Sequence, residues 1–100
     1  MGEDKKHSGL QGVGDAIRDL LRTYRLEKRF NEAALIAAWP EMVGEAIARR
    51  TRKVYIQKGV LYVELNSSAM KSDFLLHKQH VLKLIQQKFG RDIISDIIIR

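Results

Sequence analysis

Residues 39–74 read WPEMVGEAIARRTRKVYIQKGVLYVELNSSAMKSDF. Up to Ala48 the apolar residues recur at helical spacing; from Lys53 onward they alternate, which is the period of a strand. Val54 and Ile56 share one face of an expected first strand, with Lys53 and Tyr55 on the other. Leu61, Val63 and Leu65 share one face of a second, with Tyr62 and Glu64 opposite. Lys58-Gly59 lies between them as a two-residue hairpin turn, in which the glycine supplies the positive φ that such turns need. Asn66, Ser67 and Ser68 follow, and any of the three is a suitable cap for a helix.

Outward from this hairpin, the pattern on both sides is helical. Downstream, Met70, Phe74, Val81, Ile85 and Phe89 form the inward stripe of a long helix, widened by Leu75, Leu82 and Leu84. Gly90 is placed to end it in a left-handed conformation. The β-branched run Ile93–Ile99 then reads as a third strand, reached through the long helix as a crossover. Upstream, Asp15 offers an N-cap for a first helix to about Arg25, burying Ile17, Leu20, Leu21 and Tyr24. Leu26–Arg29 reads as a connector. Asn31 caps a second helix, Glu32 to Ala38, with Leu35 and Ile36 inward. Pro40 disfavours the helical state at Trp39 and opens a third helix, Glu41 to Ala48. Trp39 is expected to plug the junction between helices and sheet. The result is an α+β fold of order α-α-α-β-β-α-β, with helices covering one face of a small three-stranded sheet. Residues 1–12 lack periodicity and read as a flexible arm carrying Lys5, Lys6 and His7, with residues 13–100 forming the domain.

Composition narrows the function classes. The chain has 100 residues, 45% hydrophobic and 30% charged, which suits a folded domain rather than a disordered one. The absence of cysteine excludes disulfide scaffolds, cysteine zinc sites and thiol chemistry. No apolar run approaches bilayer length, and the polar start MGEDKKHSG is no secretory signal, so a cytoplasmic location away from the membrane is expected. The net charge of +6 favours a polyanionic partner as readily as it serves solubility.

Candidate catalytic groups fall away in turn. His77 and His80 stand three apart on the long helix, but no third ligand stands at matching spacing, and no metal is expected. Asp92 and Asp96 flank a strand and are expected to solvate it. Ser67 and Ser68 have no local base and are explained by capping. There is no glycine-rich phosphate loop. No catalytic residue and no cofactor is expected, and binding remains. Arg49, Arg50, Arg52 and Lys53 make the densest basic cluster. Tyr55 and Tyr62 point away from the helices, onto an open sheet face of the kind on which single-stranded bases stack. The same tyrosines also suit cross-strand pairing that merely stabilises the hairpin. Arg18, Arg22 and Arg25 form a line of cations on the first helix, a candidate docking surface for a protein partner.

Taken in order, these features resemble the DciA-like family of bacterial proteins. The resemblance rests on Trp39 followed by Val43-Gly44, then on the strand Leu61-x-Val63-x-Leu65 running into Ser67, Ser68 and Ala69. A long helix, Gly90 and the Ile93–Ile99 strand complete it, over roughly residues 13–100. Met70 stands where the family often has an aromatic residue, and the chain stops at the third strand without the flexible tail many members carry. The resemblance implies a KH-like module that binds DNA and assists loading of the DnaB-type replicative helicase. No Gly-x-x-Gly loop of the RNA-binding KH type is present. The expectation is a non-enzymatic adaptor that helps place the helicase on single-stranded DNA. The alternatives are a protein–protein module without nucleic-acid function, docking through the first helix, and an RNA-binding KH-like protein.

Overall fold

A computed structural model of the protein describes residues 12–100. The expected arm lies outside the described residues, apart from Gly12, which is already helical. The elements are α1 (Gly12–Val43), α2 (Glu45–Arg50), β1 (Thr51–Gln57), β2 (Val60–Leu65), α3 (Ser68–Phe89) and β3 (Asp96–Ile99). The order is therefore α-α-β-β-α-β, and the expected three leading helices are two. Among the described residues, no helix is long and apolar enough to cross a membrane.

The chain divides into two compact units, Met1–Phe30 and Asn31–Arg100, each described by itself. In the first, the expected connector Leu26–Arg29 is helical, because leucine, glutamate, lysine and arginine are all good helix formers and neither Gly nor Pro interrupts them. Asn31 accordingly sits inside a helix rather than capping one. Asp15 lies in the first turn, where it pairs with Arg18. Ile17, Leu20, Leu21 and Tyr24, expected to be buried, are exposed, Leu20 to 69%. Among the described residues of this unit, no second element covers the apolar stripe of the helical stretch.

In the second unit, Pro40 does not break α1 at Trp39. It lies in the last turn, and its carbonyl accepts the Gly44 N–H at 3.0 Å. The packing of Trp39, only 2% exposed, outweighs the local preference against helix before proline. The break comes at Gly44, with φ 88° and ψ 166°; α3 ends at Gly90, with φ 102° and ψ 153°. Both conformations lie in the region essentially restricted to glycine. Gly90 therefore has the expected positive φ, with an extended ψ in place of the left-handed one.

The hairpin forms as read. Gln57 pairs with Val60 across the two-residue turn, and Lys58 and Gly59 both have positive φ (51° and 77°), the pattern of a type I′ turn. The mixed sheet has the order β1-β2-β3, antiparallel on one side of β2 and parallel on the other. The third strand is shorter than expected: Ile93 and Ile94 are buried ahead of it, with the Ile94 carbonyl accepting from Gln86 Nε2 at 2.9 Å. Ser67 is the cap of α3, its hydroxyl accepting the Met70 N–H at 3.3 Å.

The core of this unit is one layer deep. Leu61, Val63, Leu65 and Ile97 from the sheet meet Leu35, Trp39, Phe74, Leu82 and Ile85 from the helices. Trp39 fills the expected junction, its ring 5.9 Å from that of Phe74 and its Nε1–H donating to Thr51 Oγ1 at 3.3 Å. Because side chains alternate along a strand, burying this set leaves Tyr55, Tyr62, Glu64 and Ile98 on the opposite face, away from the described helices of this unit.

Candidate nucleic-acid interface

The basic cluster occupies the corner where α2 passes into β1, and Thr51 pins that corner. Its N–H donates to the Ala48 carbonyl and its hydroxyl to the Ile47 carbonyl at 2.8 Å, while its oxygen accepts from the buried Trp39 indole. Arg49 and Arg50 therefore leave the last turn of α2 from a fixed backbone. Arg49 Nη2 lies 2.9 Å from Glu45 Oε1, both side chains largely exposed. An exposed pair of this kind contributes about 0.3–0.5 kcal/mol, so it does little to hold Arg49 in place. Arg50 is exposed, and its carbonyl accepts the Asn66 N–H at 2.9 Å. The register shifts between Thr51 and Lys53, and Arg52 is the exposed extra residue of that bulge. Bulges are common where a strand re-aims a functional side chain.

From this corner the cations continue onto the sheet. Tyr55 and Tyr62 are direct cross-strand partners whose rings stack, with centroids 4.9 Å apart and planes at 10°. Lys53 Nζ lies 5.0 Å from the Tyr55 centroid, and the Arg100 guanidinium carbon lies 5.0 Å from that of Tyr62. Arg100 was not among the residues singled out by sequence. Its signal was the parity of the last strand, where Ile97 and Ile99 face inward and Ile98 and Arg100 therefore face out. Glu64, the Cα partner of Lys53, is a carboxylate on this face.

The structure thus brings Lys53, Tyr55 and Tyr62 together, with Arg49, Arg50 and Arg52 just ahead of Lys53 along the chain. Arg18, Arg22 and Arg25 belong to the first unit. Arg18 pairs with Asp15 at 2.6 Å and Arg22 with Asp19 at 3.6 Å, so two of the three expected docking cations already have exposed acidic neighbours.

A second feature was not legible in the sequence. On the helical side of the Asn31–Arg100 unit, a cavity of about 580 Å³ is lined by Met42, Val43, Ile47, Phe74, Val81 and Leu84. His77 and His80 are also on its wall. Among the described residues, no group of three His, Cys, Asp or Glu is placed to hold a metal ion.

The fold and this surface define a small basic α+β domain with an open, cation-flanked sheet face. Comparison with known proteins places it more narrowly: the family described as "Dna[CI] antecedent, DciA" matches residues 12–99, and the chain belongs to that family. A UPF0232 protein of Corynebacterium glutamicum (strain R) is 24% identical over 97 residues, covering 96% of this chain and 54% of the relative. The UPF0232 protein Rv0004 of Mycobacterium tuberculosis (strain ATCC 25618 / H37Rv) is 27% identical over 87 residues, covering 87% of this chain and 46% of the relative. The chain spans about half the length of these curated relatives.

Proposed function

We propose that this chain is a non-enzymatic adaptor that binds single-stranded DNA and assists loading of a DnaB-type replicative helicase. The observation that carries the nucleic-acid half is the sheet face turned away from this unit's described helices, where stacked Tyr55 and Tyr62 lie between Lys53 and Arg100, on the strand that Arg49, Arg50 and Arg52 lead into. Cations arranged around aromatic rings on an open sheet suit a flexible strand, whose phosphates and bases are both accessible. Arg49, Arg50, Arg52 and Lys53 hold phosphates in this reading, giving binding that weakens with salt and has little sequence preference. The helicase half rests on family membership. The same membership supports a KH-like reading of the three-stranded mixed sheet with its helices on one face, and a place of action in the bacterial cytoplasm.

A specific observation favours the first-unit part of α1 as the helicase contact. Ile17, Leu20, Leu21 and Tyr24 are exposed on the stretch that carries Arg18, Arg22 and Arg25. An apolar stripe next to cations is a helix surface that a protein groove can take. The test is capture of purified replicative helicase by the tagged chain after nuclease treatment, with Arg18→Glu/Arg22→Glu as the comparison. Capture by the wild type and its loss in the variant is the expected result. Equal capture by both removes this helix surface from the account. RNA in place of DNA is excluded if unlabelled single-stranded DNA outcompetes matched RNA for the chain.

A further inference from the structure

Arg100 is held in place by the sheet even though it follows β3. Its N–H donates to the Val63 carbonyl at 2.8 Å, and its carbonyl accepts the Leu65 N–H at 3.0 Å. These two bonds extend the parallel β2–β3 ladder by one residue, so strand alternation puts the Arg100 side chain on the same face as Ile98, Tyr62 and Tyr55. Asn66, immediately after β2, donates its N–H to the Arg50 carbonyl. The end of β2 therefore ties Arg50 on its β1 side and Arg100 on its β3 side, and the phosphate-binding corner has a second cationic flank across the sheet.

The contacts on this face leave the tyrosine rings occupied in the free protein. Each ring has the other against it, with a cation 5.0 Å from its centroid, Lys53 at Tyr55 and Arg100 at Tyr62. A base stacks on Tyr62 only if the guanidinium moves. An exposed cation–π contact is weak, whereas a charge-assisted, bidentate Arg–phosphate pair is among the stronger polar contacts. A passing phosphate is the group able to draw Arg100 away from the ring.

Resting on the single-strand reading above, we propose that Arg100 is a phosphate-binding residue of this site and that its contact with Tyr62 is the unliganded arrangement. On binding, the guanidinium exchanges the ring for a backbone phosphate, and the ring so freed takes the adjacent base. The exchange couples charge to stacking and gives the face a preference for single strands, because a duplex offers phosphates but keeps its bases stacked inside.

The experiment is fluorescence anisotropy with labelled oligothymidylate and with a duplex of equal length, over about 50 to 200 mM salt. The proteins are the full chain and its Arg100→Ala, Arg100→Lys and Tyr62→Leu variants. Arg100→Ala is expected to weaken single-strand binding and to flatten the log–log salt slope by about 0.7, the increment of one phosphate contact on a single strand. Arg100→Lys restores the slope. Tyr62→Leu is expected to lose about 5- to 150-fold on oligothymidylate, the range for one stacked base, with its slope and duplex binding unchanged. A wild-type chain that binds no oligonucleotide overturns the single-strand reading and this proposal with it. A wild type that binds, with an Arg100→Ala variant of the same affinity and slope, overturns this proposal alone. Because Tyr62→Leu alters the sheet, the wild-type Tyr62 ring resonances are followed by NMR as well. They shift on adding oligothymidylate while the buried Trp39 indole N–H stays; an unmoved Tyr62 contradicts the exchange.

Discussion

Tyr55 and Tyr62 stack ring on ring across the β1–β2 hairpin, with centroids 4.9 Å apart and planes 10° from parallel. The contribution of this stack to the fold is measured by a double-mutant cycle. Stacked pairs contribute about 0.5–1.5 kcal/mol beyond their area, so Tyr55→Ala and Tyr62→Ala should show a coupling of that size in chemical denaturation. Additive losses would mean that the rings are neighbours without mutual stabilisation.

Glu64 is an acidic member of the sheet face, directly across from Lys53. It opposes an approaching phosphate whether or not Lys53 turns toward it. Glu64→Gln should tighten oligothymidylate binding several-fold at low salt, with the gain shrinking as salt rises. Weaker binding in this variant would place the strand elsewhere.

Thr51 joins the core to the basic corner through the Trp39 indole and the Ile47 carbonyl. Thr51→Val keeps the shape and removes both side-chain bonds, which should cost about 1–3 kcal/mol because the buried indole N–H loses its acceptor. A thermal melt reads the loss. Thr51→Ser retains the hydroxyl and should recover most of it.

Asp96 has its carboxyl held below the usual aspartate range, chiefly by the hydrogen bond from Lys78 Nζ at 3.0 Å and then by the Ile97 N–H. A depressed folded-state pKa stabilises the fold above the ordinary aspartate pKa, and that contribution disappears as pH falls through the lowered value. Asp96→Asn should therefore leave less of the decline on the acid side of the ordinary aspartate pKa. With the Asp96 side chain 48% exposed, solvent screening keeps the effect small. Denaturation midpoints over that range, compared with the wild type, measure it.

Much of this architecture was legible because the relevant signals were local. The alternation in Lys53–Leu65 set both strands and the face of each tyrosine. The Lys58-Gly59 pair set the turn, and the Asn66-Ser67-Ser68 run set the start of α3 to within a residue, Ser67 proving to be the cap. What escaped depended on competition between signals. Asn31 is an adequate cap, but the helix-forming run before it carries the chain straight through. Pro40 is a helix breaker by itself, yet burial of Trp39 keeps the helix going to Gly44. In the Ile93–Ile99 run, isoleucines stand on both sides of Ser95-Asp96, and only tertiary packing decides that Ile93 and Ile94 enter the core before β3 begins. Arg100 escaped for a different reason: a lone terminal cation carries no pattern until the ladder fixes its side.

The central claim is that this chain helps a replicative helicase onto single-stranded DNA, and the most direct measurement is unwinding of a forked DNA by the purified helicase with and without it. The wild type is expected to raise the fraction of forks unwound, and Arg50→Glu/Arg52→Glu to raise it less. Unwinding unchanged by the wild type, with a helicase that is active on the same fork when supplied in excess, would contradict the claim.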